Sequence, residues 1–168
     1  IINLLGRYYD FQRGEILLDG INIREYDLPS LRKRVGVVLQ DVFLFSENLE
    51  RNISLFDETI TDERILNAAH KIGAGNFIQQ LPGGLKYNAG ERGVTLSAGQ
   101  RQIISFLRAF INQPAVLILD EATSNIDTET EILIQRATEE VTKGRTSIIV
   151  AHRLSTIQRA QRIIVLEQ

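Results

Sequence analysis

The 168-residue chain contains no cysteine, no methionine and no tryptophan. The lack of cysteine excludes disulfides, thiolate catalysis and cysteine-ligated zinc, and permits a reducing compartment. A basic excess is also missing: 19 Lys and Arg stand against 21 Asp and Glu, for a net charge of -2. That balance argues against a nucleic-acid module, and no Lys/Arg run is long enough for a polybasic membrane anchor. No apolar run approaches the ~20 residues that span a bilayer, and no signal-peptide pattern is present. What remains is ordinary globular composition, with 43% hydrophobic and 24% charged residues. The length fits one domain with a real core and room for a smaller subdomain.

Ile1-Ile2-Asn3-Leu4-Leu5 reads as the middle of a buried helix with no cap before it. Ile163-Ile164-Val165-Leu166 reads as a strand. Both ends therefore look cut, and the expectation is an internal piece of a longer protein.

Apolar residues on either side of Asp19-Gly20 predict a β-hairpin. Pro29 and Ser30 open a short helical turn. Val35-Gly36-Val37-Val38-Leu39 is a β-branched run of the kind buried on both faces of a sheet, and it ends at Gln40. From Asp41 to about Asn112 the pattern turns helical. Thr61 caps a helix carrying Ile65, Ala68, Ala69 and Ile72. A short helix with Phe77 and Leu81 stops at Pro82-Gly83-Gly84. Ser97 opens a helix carrying Ile103, Ile104, Leu107 and Phe110. The α/β rhythm then returns. Ala115–Leu119 is a buried strand ending in Asp120-Glu121. Asp127 caps a helix with Ile134, Ala137 and Val141 on one face. Ser147–Val150 is another buried strand, leading to His152, and a short helix from Ser155 follows. Strands alternating with helices imply a parallel sheet covered on both faces.

Ligands of parallel α/β sheets bind beyond the carboxyl ends of the strands. Three predicted strands end there in Gln40, in Asp120-Glu121 and in His152, which together suggest one site facing a phosphate and a metal. A carboxylate such as Asp120 at a strand end can hold Mg²⁺ directly or through water. Glu121 points elsewhere because side chains alternate, and it can polarise a water. The plain alternative is two solvated acids capping a strand. Ser97-Ala98-Gly99-Gln100 starts a helix whose positive end favours phosphate, with Gly99 allowing close backbone approach; the plain alternative is a capped helix and nothing more. Gln40 alone reads equally as a surface amide, His152 alone as a locally bonded histidine, and Asp127 as a simple cap. No role attaches to His70.

Taken in order, these segments resemble the nucleotide-binding domain of ABC transporters over essentially the whole chain. Leu96-Ser97-Ala98-Gly99-Gln100-Arg101-Gln102 resembles the family signature, usually LSGGQ. Leu117-Ile118-Leu119-Asp120-Glu121-Ala122-Thr123-Ser124 resembles the Walker B strand and the loop that ends here at Asp127. Gln40 matches the glutamine loop, and Ala151-His152-Arg153-Leu154-Ser155-Thr156 the histidine switch. Each motif is modest alone; four in this order and spacing are specific. Glu91-Arg92-Gly93, Asn52-Ile53 and the Arg-Leu-Ser-Thr after His152 are similar to the exporter type. Ala98 departs from the usual glycine, and Ser124-Asn125-Ile126-Asp127 from the usual Ser-Ala-Leu-Asp. The phosphate loop G-x-x-x-x-G-K-[ST] is not among the 168 residues.

The resemblance implies an α/β, P-loop NTPase-like parallel sheet flanked by helices, with a helical subdomain and a small N-terminal antiparallel β element. It implies residues 1–40 and 113–168 as the two parts of the ATPase core and 41–112 as the helical subdomain. The implied cofactors are ATP and Mg²⁺, with Asp120 and Gln40 on the metal and Glu121 as general base. His152 and Gln40 would attend the γ-phosphate. Ser97, Ala98, Gly99, Gln100 and Asp127 would meet the nucleotide of a second such domain, paired head to tail. A membrane-spanning domain of the same chain would face residues 41–56 and Glu91–Gly93, at the cytoplasmic side of a membrane, with no nucleic-acid partner. Without the loop lysine, these residues alone are expected to turn over little ATP. Two rival classes share parts of this pattern. A DNA-maintenance ATPase would need a long coiled coil, and no heptad run appears. A non-catalytic sensing module would most readily have lost Glu121.

Overall fold

The computed structural model describes residues 2–120, 126–150 and 160–165. Helix α1 (Ile2–Leu5) leads to strands β1 (Leu17–Leu18) and β2 (Ile21–Asn22), an antiparallel hairpin. Its turn residues Asp19 and Gly20 both have positive φ, 52° and 80°, as a type I′ turn demands. Helix α2 (Leu28–Arg34) begins at Asp27, whose carboxylate accepts the Ser30 N–H, and it has proline in its first turn. It is longer than the single turn expected from Pro29 and Ser30.

Strands β3 (Val35–Val38), β4 (Val116–Asp120) and β5 (Thr146–Val150) form one parallel sheet with β4 in the centre. Alternation along β4 divides the core. Leu117 and Leu119 face the larger apolar cluster, and Ile118 faces a smaller one with Phe11, Ile23, Leu31 and Val35. α1 lies at the edge of that smaller cluster with Ile2, Leu4 and Leu5 half-covered, so it is not the buried helix that its composition suggested.

Between β3 and β4 lie the helices α3 (Leu49–Ser54), α4 (Asp62–Ile72), α5 (Gly75–Gln80) and α6 (Ala98–Asn112). Thr61 caps α4 by accepting the Arg64 N–H, and Gly73 ends it in the left-handed region at φ 83°. Ser97 and Gln100 form a reciprocal capping box at the start of α6. α7 (Thr128–Thr142) starts at the Asp127 cap and buries Ile134, Ala137 and Val141, the face that helical spacing selects. α6 and α7 pack side by side, and together with α3–α5 they build the larger cluster.

Two expectations are corrected. Residues 163–165 are not a strand: Ile163, Ile164 and Val165 are 61%, 74% and 79% exposed and irregular. A β segment needs a partner for its backbone groups, and no described strand pairs with this one. β5 is a strand but not a buried one. It pairs on one side only among the described residues, and Ile149 and Val150 are both 37% exposed. The helix expected from Ser155 lies outside the described residues.

Candidate active site

Parallel pairing sets the geometry of the rim. Val38 of β3 lies opposite Leu119, and Asp120 lies opposite Val150. The carboxyl ends of all three strands therefore share one edge, with Asp120 the last residue of the central strand and Gln40 two positions beyond β3. Gly36 makes the β3–β4 approach possible next to Pro114: a Cβ at position 36 would lie 2.4 Å from Pro114 Cγ. Glu121 and His152, expected next to this edge from the strand ends, lie outside the described residues, as do residues 122–125.

Asp120 is half-buried and lines a small cavity of about 20 Å³ with Gln102, Thr138 and Ile149. That volume holds about one water. A magnesium ion usually keeps several waters and takes one or two carboxylates beside substrate phosphates. The strand-end carboxylate of Asp120 supplies one ligand of that kind, whereas the cavity itself, walled also by Val38, Phe106, Leu119 and Ile134, is too small and too apolar to hold a hydrated ion.

Gln40 is exposed and lines a groove of about 720 Å³. Phe43 and Arg92 lie along the same groove, and Ala98, Gln102 and Ile126 close it on the α6 and α7 side. Gln40 and Ala98 are thus brought to one depression. Gln102 borders both this groove and the Asp120 cavity and is itself 5% exposed.

The α6 start is ordered by its own residues. Ser97 Oγ accepts the Gln100 N–H at 3.2 Å, and Gln100 Oε1 accepts the Ser97 N–H at 2.9 Å. Both side chains are therefore engaged in the cap, and Arg101 donates to the Leu96 carbonyl at 2.7 Å. Gly99 is buried against α7. Asp127 accepts the Thr130 N–H at 2.9 Å. That bond, and then the Thr130 hydroxyl, hold its carboxyl below the usual range. The N-termini of α6 and α7 thus lie side by side, and both helix dipoles present their positive ends there.

Two residues organise the segment after Gln40: Asn52, expected only as an exporter-type mark within 41–56, and Arg108, to which no motif gives a role. Asn52 is fully buried. Its amide donates to the carbonyls of Phe45, Glu47 and Asn48, each at 3.1 Å, and its Oδ1 accepts the Phe45 N–H at 2.8 Å. Arg108 of α6 donates to the Asn52 carbonyl at 2.7 Å and the Phe43 carbonyl at 3.0 Å. The signal for α3 was Asn48, which accepts the Arg51 N–H as a helix cap; the polar buried Asn52 and Ser54 masked the helical period.

Comparison with known proteins agrees with this architecture. The family model described as "ABC transporter" matches residues 1–124. The Bacillus subtilis protein named "Probable multidrug resistance ABC transporter ATP-binding/permease protein YheH" is 50% identical over 100% of this chain and 25% of its own length. A second Bacillus subtilis protein, "Uncharacterized ABC transporter ATP-binding protein YknV", is 50% identical over 99% of this chain and 28% of its own. Among solved structures, that of a bacterial Atm1-family ABC exporter with ATP bound superposes with a TM-score of 0.81 at 39% identity. It covers 92% of this chain and 27% of its own. The chain thus spans about a quarter of the length of these relatives. Family match, identity and shared P-loop NTPase architecture agree, and the chain belongs to the ABC transporter family as a stretch of its ATP-binding domain.

Proposed function

We propose that these residues serve as the greater part of the ATP-hydrolysing domain of an exporter, coupled to a membrane-spanning domain in the same longer protein. The observation that carries this reading is the parallel register of β3, β4 and β5, which gathers Gln40, Asp120 and the chain entering Glu121 at one rim. The groove from Gln40 to Ala98 supports it from the other side.

In this reading, Asp120 and Gln40 would hold Mg²⁺, which would supply charge neutralisation for the phosphates of ATP. Glu121 accepts a proton from the attacking water. Gln40 and His152 hold the γ-phosphate side in position. Ser97, Gly99 and Gln100, with Ala98 beside them, would supply donors to the nucleotide of a second, head-to-tail domain in exchange for the reciprocal Ser97–Gln100 cap bonds. Asp127 would help order that interface. Phosphoryl transfer needs mainly positioning and charge stabilisation, so each loss costs rate heavily. Residues 41–56 and Glu91–Gly93 would meet the membrane domain. Phe43, Phe45 and Phe56 stand exposed there as two edge-to-face pairs, each with centroids 5.2 Å apart. The domain would act at the cytoplasmic face of a membrane. The 168 residues hold no phosphate-loop lysine, so on their own they should turn over ATP slowly.

The test is Glu121→Gln in the full-length protein. The expected result is an ATP-bound, paired state that persists while hydrolysis falls. Unchanged turnover with no trapped pair would overturn the assignment of Glu121 as the base.

A further inference from the structure

Arg108 carries a charge into a half-buried place and meets no carboxylate among the described residues. Desolvation pushes its pKa down to about 10, so the guanidinium stays charged at neutral pH. Its partners are all on the segment after Gln40. Nε donates to the Asn52 carbonyl at 2.7 Å, Nη1 to the Phe43 carbonyl at 3.0 Å and Nη2 to Asn52 Oδ1 at 3.4 Å. Asn52 in turn shares its amide hydrogens among three carbonyls between Phe45 and Asn48. The backbone carrying Phe43 and Phe45 is therefore fixed from two directions by one arginine fork and one amide.

The fork sits about 15 Å along α6 from Ala98, at 1.5 Å per residue. An α-helix is stiff over that length. We infer that Arg108 and Asn52 are positioning residues that join α6 to residues 43–48 as one mechanical unit, so that displacement of the Ser97 end moves the Phe43–Phe45–Phe56 edge. The inference rests on the functional reading above, in which ATP acts at the Ser97 end and the aromatic edge meets the membrane domain. Packing alone would need only an apolar side chain at position 108. The planar fork adds a fixed spacing between the Phe43 and Asn52 carbonyls, which the rotatable donors of a lysine ammonium do not impose.

The experiment uses the full-length protein in lipid nanodiscs, with amide hydrogen exchange followed with and without ATP. In the wild type, ATP should slow exchange at residues 96–100 and alter it at 43–48 together. Arg108→Lys should leave the response at 96–100 and bring the ATP-to-apo exchange ratio at 43–48 close to one. Asn52→Asp keeps an acceptor toward Arg108 and Phe45 but turns a carboxylate oxygen against the carbonyls of Phe45, Glu47 and Asn48 in a fully buried place, so it should lower stability. Thermal unfolding reads that loss separately, and the ATP-to-apo ratio at 43–48, taken well below the unfolding transition, should show the same split. A merely structural role would speed exchange in both states and leave the ratio intact. Wild-type ratios at 43–48 in both variants, or no response there in the wild type, would overturn the inference. Loss of the response at 96–100 in the wild type would instead refute the functional reading beneath it.

Discussion

Gly99 and Thr130 touch where α6 and α7 begin: a Cβ built on Gly99 would lie 2.3 Å from Thr130 Cγ2 and 3.3 Å from Thr130 Cβ. Close helix contact therefore requires glycine at position 99 before any nucleotide is considered. Its place at a helix start implies close backbone approach to an anion. The geometry gives it a second duty within its own chain, bringing two helix N-termini together. Ala98, the departure from the usual signature, is exposed on the groove, where a methyl group is accommodated.

Gly99→Ala should cost about 1–3 kcal/mol in unfolding free energy, the usual range for overpacking. Thr130→Ser removes the methyl group in the way, so the double variant should recover most of that loss. Denaturant unfolding of the four proteins in the cycle measures it. Equal losses with threonine and with serine would show that the contact is not the cause.

Gly36→Ala should destabilise by a similar amount, about 1–3 kcal/mol. The added methyl meets the Pro114 ring at 2.4 Å and 3.0 Å, and a proline ring has little room to yield. The strain falls on the β3–β4 pairing that sets Gln40 relative to Asp120. Thermal unfolding reads the loss, and an unchanged melting temperature would contradict it.

The Asp127 cap predicts an acid-side effect. Its carboxyl titrates below the ordinary value of about 3.9 because it accepts the Thr130 N–H. With the folded pKa depressed, the stabilisation is complete above the unfolded value and fades as pH falls through the folded one. Asp127→Asn retains a capping acceptor without a titration. The stability difference between wild type and variant should be constant near neutrality and shift against the wild type below about pH 4. A difference that is flat with pH would exclude this cap as a contributor. The effect is small because the group is exposed.

Much of the architecture could be read locally. The Asp19-Gly20 turn, the Thr61, Ser97 and Asp127 caps, and the face of Ile134, Ala137 and Val141 follow from rules spanning a few residues, and each is found. The end of β4 at Asp120 was legible too, because an apolar run that stops at a polar residue marks its own boundary, whereas β3 stops at Val38, two residues before the expected Gln40. α3 was missed, because Asn52 and Ser54 occupy buried positions that apolar periodicity expects to be hydrophobic. Residues 163–165 were misread for the opposite reason: β propensity is present but a pairing partner is not among the described strands.

The sequence by itself determined the order of elements, their caps and the candidate chemistry at the strand ends, since those depend on neighbours within a turn or two. The tertiary structure alone decided that Arg108 reaches Asn52, that Gly99 must yield to Thr130, and that β5 is half exposed. Such contacts join residues far apart in the chain. No local pattern encodes them, because they arise only when separate elements compete for the same buried space.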